Sequence, residues 1–145
     1  MRMLLAAAAA VILSVPAVAA DTVKLTGENT KITWVGTKPG GKHDGGFKTV
    51  SGTATLSGGD LAKVEVEIET ESLYADDPKL TAHLKSPDFF GVKNNPKATF
   101  TSTKIEKAGK GVTITGDLTL NGKTKSISFP ATVSHAGGTL KINSE

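Results

Sequence analysis

Gly111-Val112-Thr113-Ile114-Thr115-Gly116-Asp117-Leu118-Thr119-Leu120-Asn121-Gly122-Lys123-Thr124-Lys125-Ser126-Ile127-Ser128-Phe129-Pro130-Ala131-Thr132-Val133 is the stretch from which the fold of this chain can be read. Val112, Ile114, Gly116, Leu118 and Leu120 alternate with Thr113, Thr115, Asp117 and Thr119. A period of two means a β-strand with one wet and one buried face. Asn121-Gly122 supplies the two positive-φ residues of a type I′ turn, and Lys123 to Val133 returns with Ile127, Phe129, Ala131 and Val133 on one face. Pro130 falls on the opposite face, where a residue without an N–H predicts a bulge or a strand edge.

The same code runs outward from this hairpin. Val50, Gly52, Ala54 and Leu56 alternate with Ser51, Thr53 and Thr55, and Val64, Val66 and Ile68 alternate with Glu65, Glu67, Glu69 and Glu71. Alternate strand residues lie about 7 Å apart, too far for four glutamates to share one small cation, so they read as a solvated outer face. Gly58-Gly59, Ala108-Gly109 and Gly137-Gly138 mark turns, and Lys31 to Lys38 forms a strand with Ile32 and Trp34 inside. The expectation is an antiparallel meander of about seven strands. Between Ser72 and Pro96 the alternation stops: Asp76-Asp77-Pro78 starts a helical turn over Lys79 to Lys85, with Leu80 and Leu84 on one side, and Ser86-Pro87 ends it. A structured crossover inside a meander closes something or carries function.

The chain has 145 residues, 38% hydrophobic and 21% charged, enough for one core. Met1-Arg2, the apolar run to Val15 and the small residues Pro16 to Ala20 read as a secretory signal over 1–20, cleaved after Ala19 or Ala20, leaving a domain over 21–145. The run is Ala-rich and short for a membrane span, and no later stretch is a stable span. Removing Arg2 lowers the formal charge from +3 to +2, too little to argue for a nucleic-acid partner. The chain has no Cys, which excludes disulfides, thiolate nucleophiles and thiolate metal sites. The three histidines, His43, His83 and His135, have no metal-ligand spacing, and no nucleophile elbow or phosphate loop is present. The reading is therefore of a protein that is not an enzyme, without cofactor or metal.

His83-Leu84-Lys85-Ser86-Pro87-Asp88-Phe89-Phe90, then Pro96-Lys97-Ala98-Thr99-Phe100, closely resembles the signature of the YceI-like family. His43-Asp44-Gly45-Gly46-Phe47, the strand ending at Ser72, and Gly116 to Lys125 leading to Phe129-Pro130 agree in order and spacing. The resemblance spans nearly all of 21–145. It implies a lipocalin-like antiparallel β-barrel of about seven to eight strands with one short helical crossover, exported to the periplasm or secreted, whose interior holds an apolar polyisoprenoid or quinone-like lipid. In the family the strand after Leu140-Lys141-Ile142-Asn143 is followed by further strand, whereas here the sequence stops at Glu145. The barrel is thus expected to be incompletely closed and, through its open edges, to form dimers or larger oligomers.

Candidate ligand-binding residues are Trp34, His43, Phe47, His83, Leu84, Phe89, Phe90, Phe100, Ile114 and Phe129. For the aromatic residues, plain core packing is the alternative; for His43 and His83, which match family motif positions, it is a hydrogen-bonded structural role. Small inward residues (Gly52, Ala54, Gly116, Ala131) leave room for a guest or accept larger neighbours in ordinary packing. Lys38, Lys42 and Lys48, around the loop Pro39 to Gly46, and Lys85 are the cations available to a phosphate head group. Two functions remain: a lipid carrier, or a lipid-independent stress-response or protein-interaction module presenting the crossover.

Overall fold

The computed structural model describes residues 3–4, 22–136 and 139–145. Its elements are β1 Met3–Leu4, β2 Thr22–Thr26, β3 Ile32–Lys38, β4 Gly41–Phe47, β5 Val50–Ser57, β6 Asp60–Glu69, a 3-10 turn Thr70–Ser72, β7 Leu73–Ala75, α1 Pro78–Lys85, β8 Lys97–Ala108, β9 Gly111–Leu120, β10 Lys123–Ala136 and β11 Thr139–Asn143. The Gly137-Gly138 turn, and all of the 1–20 signal but Met3–Leu4, lie outside the described residues.

Seven strands in the order β11-β10-β9-β8-β6-β5-β2 form a curled antiparallel sheet, a lipocalin-like half-barrel with β2 and β11 at its edges. The β9–β10 hairpin follows the alternation. Leu120 pairs with Lys123 around a turn with Asn121 at φ 47° and Gly122 at φ 71°. Ile114, Gly116 and Ala131 are buried while Asp117, Ser126 and Ser128 are exposed. At Pro130 the register continues without shift, so there is no bulge; the β10–β11 ladder begins only at Thr132, so the proline lies just outside that ladder, where its carbonyl accepts from the Ser144 hydroxyl.

A second sheet, β1-β3-β4-β7, departs from the expected meander. Pro39 to Gly46, expected as a loop, is largely strand, because Gly45 and Gly46 serve as packing surface instead of breaking the chain. A Cβ on Gly45 would overlap the Trp34 indole, and one on Gly46 would approach Ile32 O and the Tyr74 hydroxyl within 2.6 and 2.8 Å. The large rings fill the space that the glycines vacate.

The glutamate strand also ends sooner than its alternation predicts. Glu65 and Glu67 pair with Lys63 and Lys97 at 2.8 Å on the outer face. Thr70 turns inward, 1% exposed, its hydroxyl donating to Asn95 O at 2.7 Å. This turn removes Glu71 from the strand and places it 3.1 Å from Lys85.

Two apolar clusters divide the interior. Leu56, Leu61, Val64, Phe100 and Ile114 belong to one, and Val50, Ile68, Trp34, Phe47, Leu84 and Phe90 to the other. They occupy opposite ends of β5 and β6, and the half-buried Val66 packs against both.

Candidate functional site: the two ends of the curled sheet

At the helix end, Asp77 caps α1 through the Lys79 N–H at 2.8 Å, and Pro78 opens its first turn. The helix buries Leu84, 1% exposed, against the second cluster. The chain then folds back: the Phe90 N–H donates to Leu84 O at 3.0 Å and the Gly91 N–H to Ser86 O at 2.9 Å. This return drives Phe90 inward, edge-on to Phe47 with centroids 5.6 Å apart. Phe89 stays half-exposed, edge-on to His83 at 4.7 Å.

The crossover is pinned to the β9–β10 hairpin by amides. Asn95 Nδ2 donates to Asn121 Oδ1 at 3.0 Å, and Asn121 Nδ2 donates to Pro87 O at 3.2 Å. Asn121 was legible in the sequence only as a turn former; its second role depends on a partner 26 residues away. Asp76 holds the other side. His43 Nδ1 donates to Asp76 Oδ1 at 2.9 Å, and the Asp44 N–H donates to Asp76 Oδ2 at 3.1 Å. These donors, the Asp44 amide foremost, hold the Asp76 carboxyl below its ordinary range.

The ten expected residues do not meet in one place. Trp34, Phe47, Leu84 and Phe90 are buried together, with Phe89 packed against them; Phe100 and Ile114 lie in the other cluster, with Phe129 tilted against Phe100 at 5.5 Å. His83 is exposed, and His43 is part-exposed at its bond to Asp76. Of the expected lysines, Lys42 lies 3.6 Å from Asp44, Lys48 sits 5.7 Å over the Tyr74 ring and Lys85 is paired with Glu71. Lys38 reaches the rim of a small pocket of about 10 Å³ walled by Trp34, Gly36, Leu80 and Leu84.

The larger cavity is at the other end. A cleft of about 480 Å³ opens between the β5–β6 and β8–β9 turns and the end of β10. Leu61, Ile105, Val112 and Val133 form its apolar floor, continuous with the first cluster, and Lys107, Lys110 and His135 stand at its rim. Lys107 lies 3.6 Å from Asp60. None of the ten expected residues lines this cleft. Its walls come from two turns and a strand end far apart in the chain, and strand periodicity carries no information about which of them share an end. Among the described residues no helix is long and apolar enough to cross a membrane.

Comparison with known proteins agrees with this architecture. Protein YceI of Escherichia coli is 44% identical over 89 residues, which cover 60% of this chain and 47% of that protein. The UPF0312 protein of Pseudomonas putida is 38% identical over 96 residues, 64% of this chain and 50% of its own. The chain spans about half the length of these curated relatives. Among solved structures, Burkholderia cenocepacia BcnA superposes with a TM-score of 0.72 at 27% identity, covering 79% of this chain and 74% of its own. The Campylobacter jejuni YCEI protein does so with 0.60 at 30% identity, covering 68% and 61%. The YceI-like domain matches residues 21–145, and the chain belongs to the YceI-like family.

Proposed function

We propose that this protein is an exported, non-catalytic carrier that holds an apolar lipid of polyisoprenoid or quinone type inside its curled sheet. The observation that carries the reading is the 480 Å³ cleft, whose floor of Leu61, Ile105, Val112 and Val133 continues into the main core. That volume falls in the range of small-molecule sites, and the four aliphatic side chains of the floor offer an apolar guest a contact surface beneath a polar rim of Asp60, Lys107, Lys110 and His135. An aliphatic chain laid on this floor gains about 25 cal/mol for each Å² removed from water, without a covalent or charged anchor. Family membership supports the same reading. Export rests on the sequence of residues 1–20, and self-association on the open edges β2 and β11.

The test is solvent extraction of the protein purified from the periplasm, followed by mass spectrometry. A stoichiometric isoprenoid or quinone is the expected result. A persistently empty protein that captures a specific protein partner would replace this reading with that of an interaction module.

A further inference from the structure

Asn121-Gly122 is the single asparagine-glycine pair of the chain. It forms the turn of the β9–β10 hairpin, with both residues at positive φ, and Gly122 is exposed. An asparagine followed by glycine is open to attack on its own side chain, because a glycine has no Cβ to keep its nitrogen away from the neighbouring amide carbon. In this hairpin the Asn121 amide is engaged elsewhere.

Pro87 O can only accept, so the 3.2 Å bond to it fixes Asn121 Nδ2 as the donor and turns Oδ1 toward Asn95. Asn95 Nδ2 donates to that Oδ1 at 3.0 Å and lies 3.3 Å from Gly91 O, to which it also donates. The crossover backbone closes over the same atom: a Cβ on Gly91 would stand 2.6 Å from Asn121 Oδ1. To meet the Gly122 nitrogen, the side chain must swing away from these partners and back over its own peptide bond, which breaks both of its hydrogen bonds. Two neutral hydrogen bonds at a part-exposed site are the kind of contact that opens locally while the rest of a fold stays closed.

We propose that Asn121-Gly122 is a self-modification site gated by its junction with the crossover. When the two bonds break, the Gly122 nitrogen gives up its proton to solvent hydroxide and bonds to Asn121 Cγ, and Nδ2 leaves as ammonia. Water then opens the resulting succinimide at one of its two carbonyls, giving aspartate or isoaspartate with no change of oxidation state. Neither product rebuilds the junction. The new carboxylate is an acceptor facing the Pro87 carbonyl, another acceptor, and isoaspartate also lengthens the main chain within a two-residue turn. The reaction is a one-way release of the crossover from the hairpin, independent of what the 480 Å³ cleft binds.

The full chain is incubated in mildly alkaline buffer, folded and in parallel unfolded in guanidinium chloride, and the peptide carrying Asn121 is followed by mass spectrometry for conversion of amide to acid. The folded chain should convert at Asn121, and more slowly than the unfolded one. Asn95→Ala removes one of the two bonds and should speed the folded conversion about fivefold, the worth of one neutral hydrogen bond. Asn143, the last residue of β11 and outside the junction, should keep its rate. The converted protein, separated by its added negative charge, should exchange amide hydrogens faster at Gly91 and Asn95 than the unconverted protein. Equal rates at Asn121 in the folded and unfolded chains, or no conversion in the folded chain, would overturn the proposal. So would an unchanged rate in Asn95→Ala, an equal acceleration at Asn143, or unchanged exchange in the converted protein. If Asn95→Ala does not fold, the comparison of folded with unfolded chain and the exchange of the converted protein decide alone.

Discussion

His43 on β4 and Asp76, the residue before the α1 cap, are joined at 2.9 Å, and the backbones beside them are joined too: the Asp76 N–H donates to Asp44 O at 2.9 Å. The contact ties the start of the helical crossover to the β3–β4 hairpin, so the element at one end of the curled sheet is fastened to the second, smaller sheet.

This contact has a pH signature. The Asp76 carboxyl is held below its ordinary range by the Asp44 amide and then by His43. A carboxylate with a depressed folded-state pKa stabilises the fold fully above its unfolded value, near 3.9, and the stabilisation is lost as pH falls through the folded value. Thermal melts of the wild type and Asp76→Ala should therefore differ near neutrality and converge as the pH is lowered below about 4. A difference that stays constant across that window would refute the assignment.

The alternation on β9 predicts a contrast between neighbours. Ile114 is 2% exposed, whereas Thr115 hydrogen-bonds Ser128 on the outer face at 2.7 Å. Ile114→Asp buries an unpaired charge and should cost several kcal/mol more than Thr115→Asp, on the order of 3 to 5. Denaturant titration measures the difference; equal losses would mean that the register is shifted by one residue.

Gly45 is required by the ring above it. Gly45→Ala places a methyl in the Trp34 indole and should destabilise by about 1 to 3 kcal/mol, with a red shift of tryptophan emission as the ring is displaced. Gly41→Ala meets only the flexible Lys38 side chain, at 3.4 Å, and should be nearly neutral in both measurements.

The amide junction predicts local opening. Asn121→Gly keeps a turn residue that tolerates positive φ while removing both hydrogen bonds to the crossover. Hydrogen exchange at Gly91 and Asn95 should accelerate by about one order of magnitude, with the β9–β10 ladder unchanged. Uniform acceleration over both regions would instead indicate loss of the turn itself.

The edges β2 and β11 carry unpaired backbone groups among the described residues. Such edges template further pairing, so the 145-residue chain is expected to self-associate with rising concentration in sedimentation velocity runs. A monodisperse monomer from about 1 to 100 µM would contradict this.

From the sequence alone, much of the frame was legible. Alternation placed Ile114 and Ala131 inside and Ser128 outside, Asn121-Gly122 specified the hairpin, and Asp77-Pro78 with Ser86-Pro87 bounded the helix. Each of these depends on pleat, dihedral or capping geometry within a few residues, which composition and spacing encode directly. The tertiary structure alone decided that the glycine-rich run before Phe47 is a strand, since Gly45 pairs there only because Trp34 and Tyr74 lie over it. It also decided that Trp34 and Ile114 sit in different clusters, and that Leu61, Ile105, Val112 and Val133 converge on one cleft. Those outcomes depend on which distant side chains fill one another's space. Close packing selects them through shape and volume across the whole fold, and no local period along the chain records them.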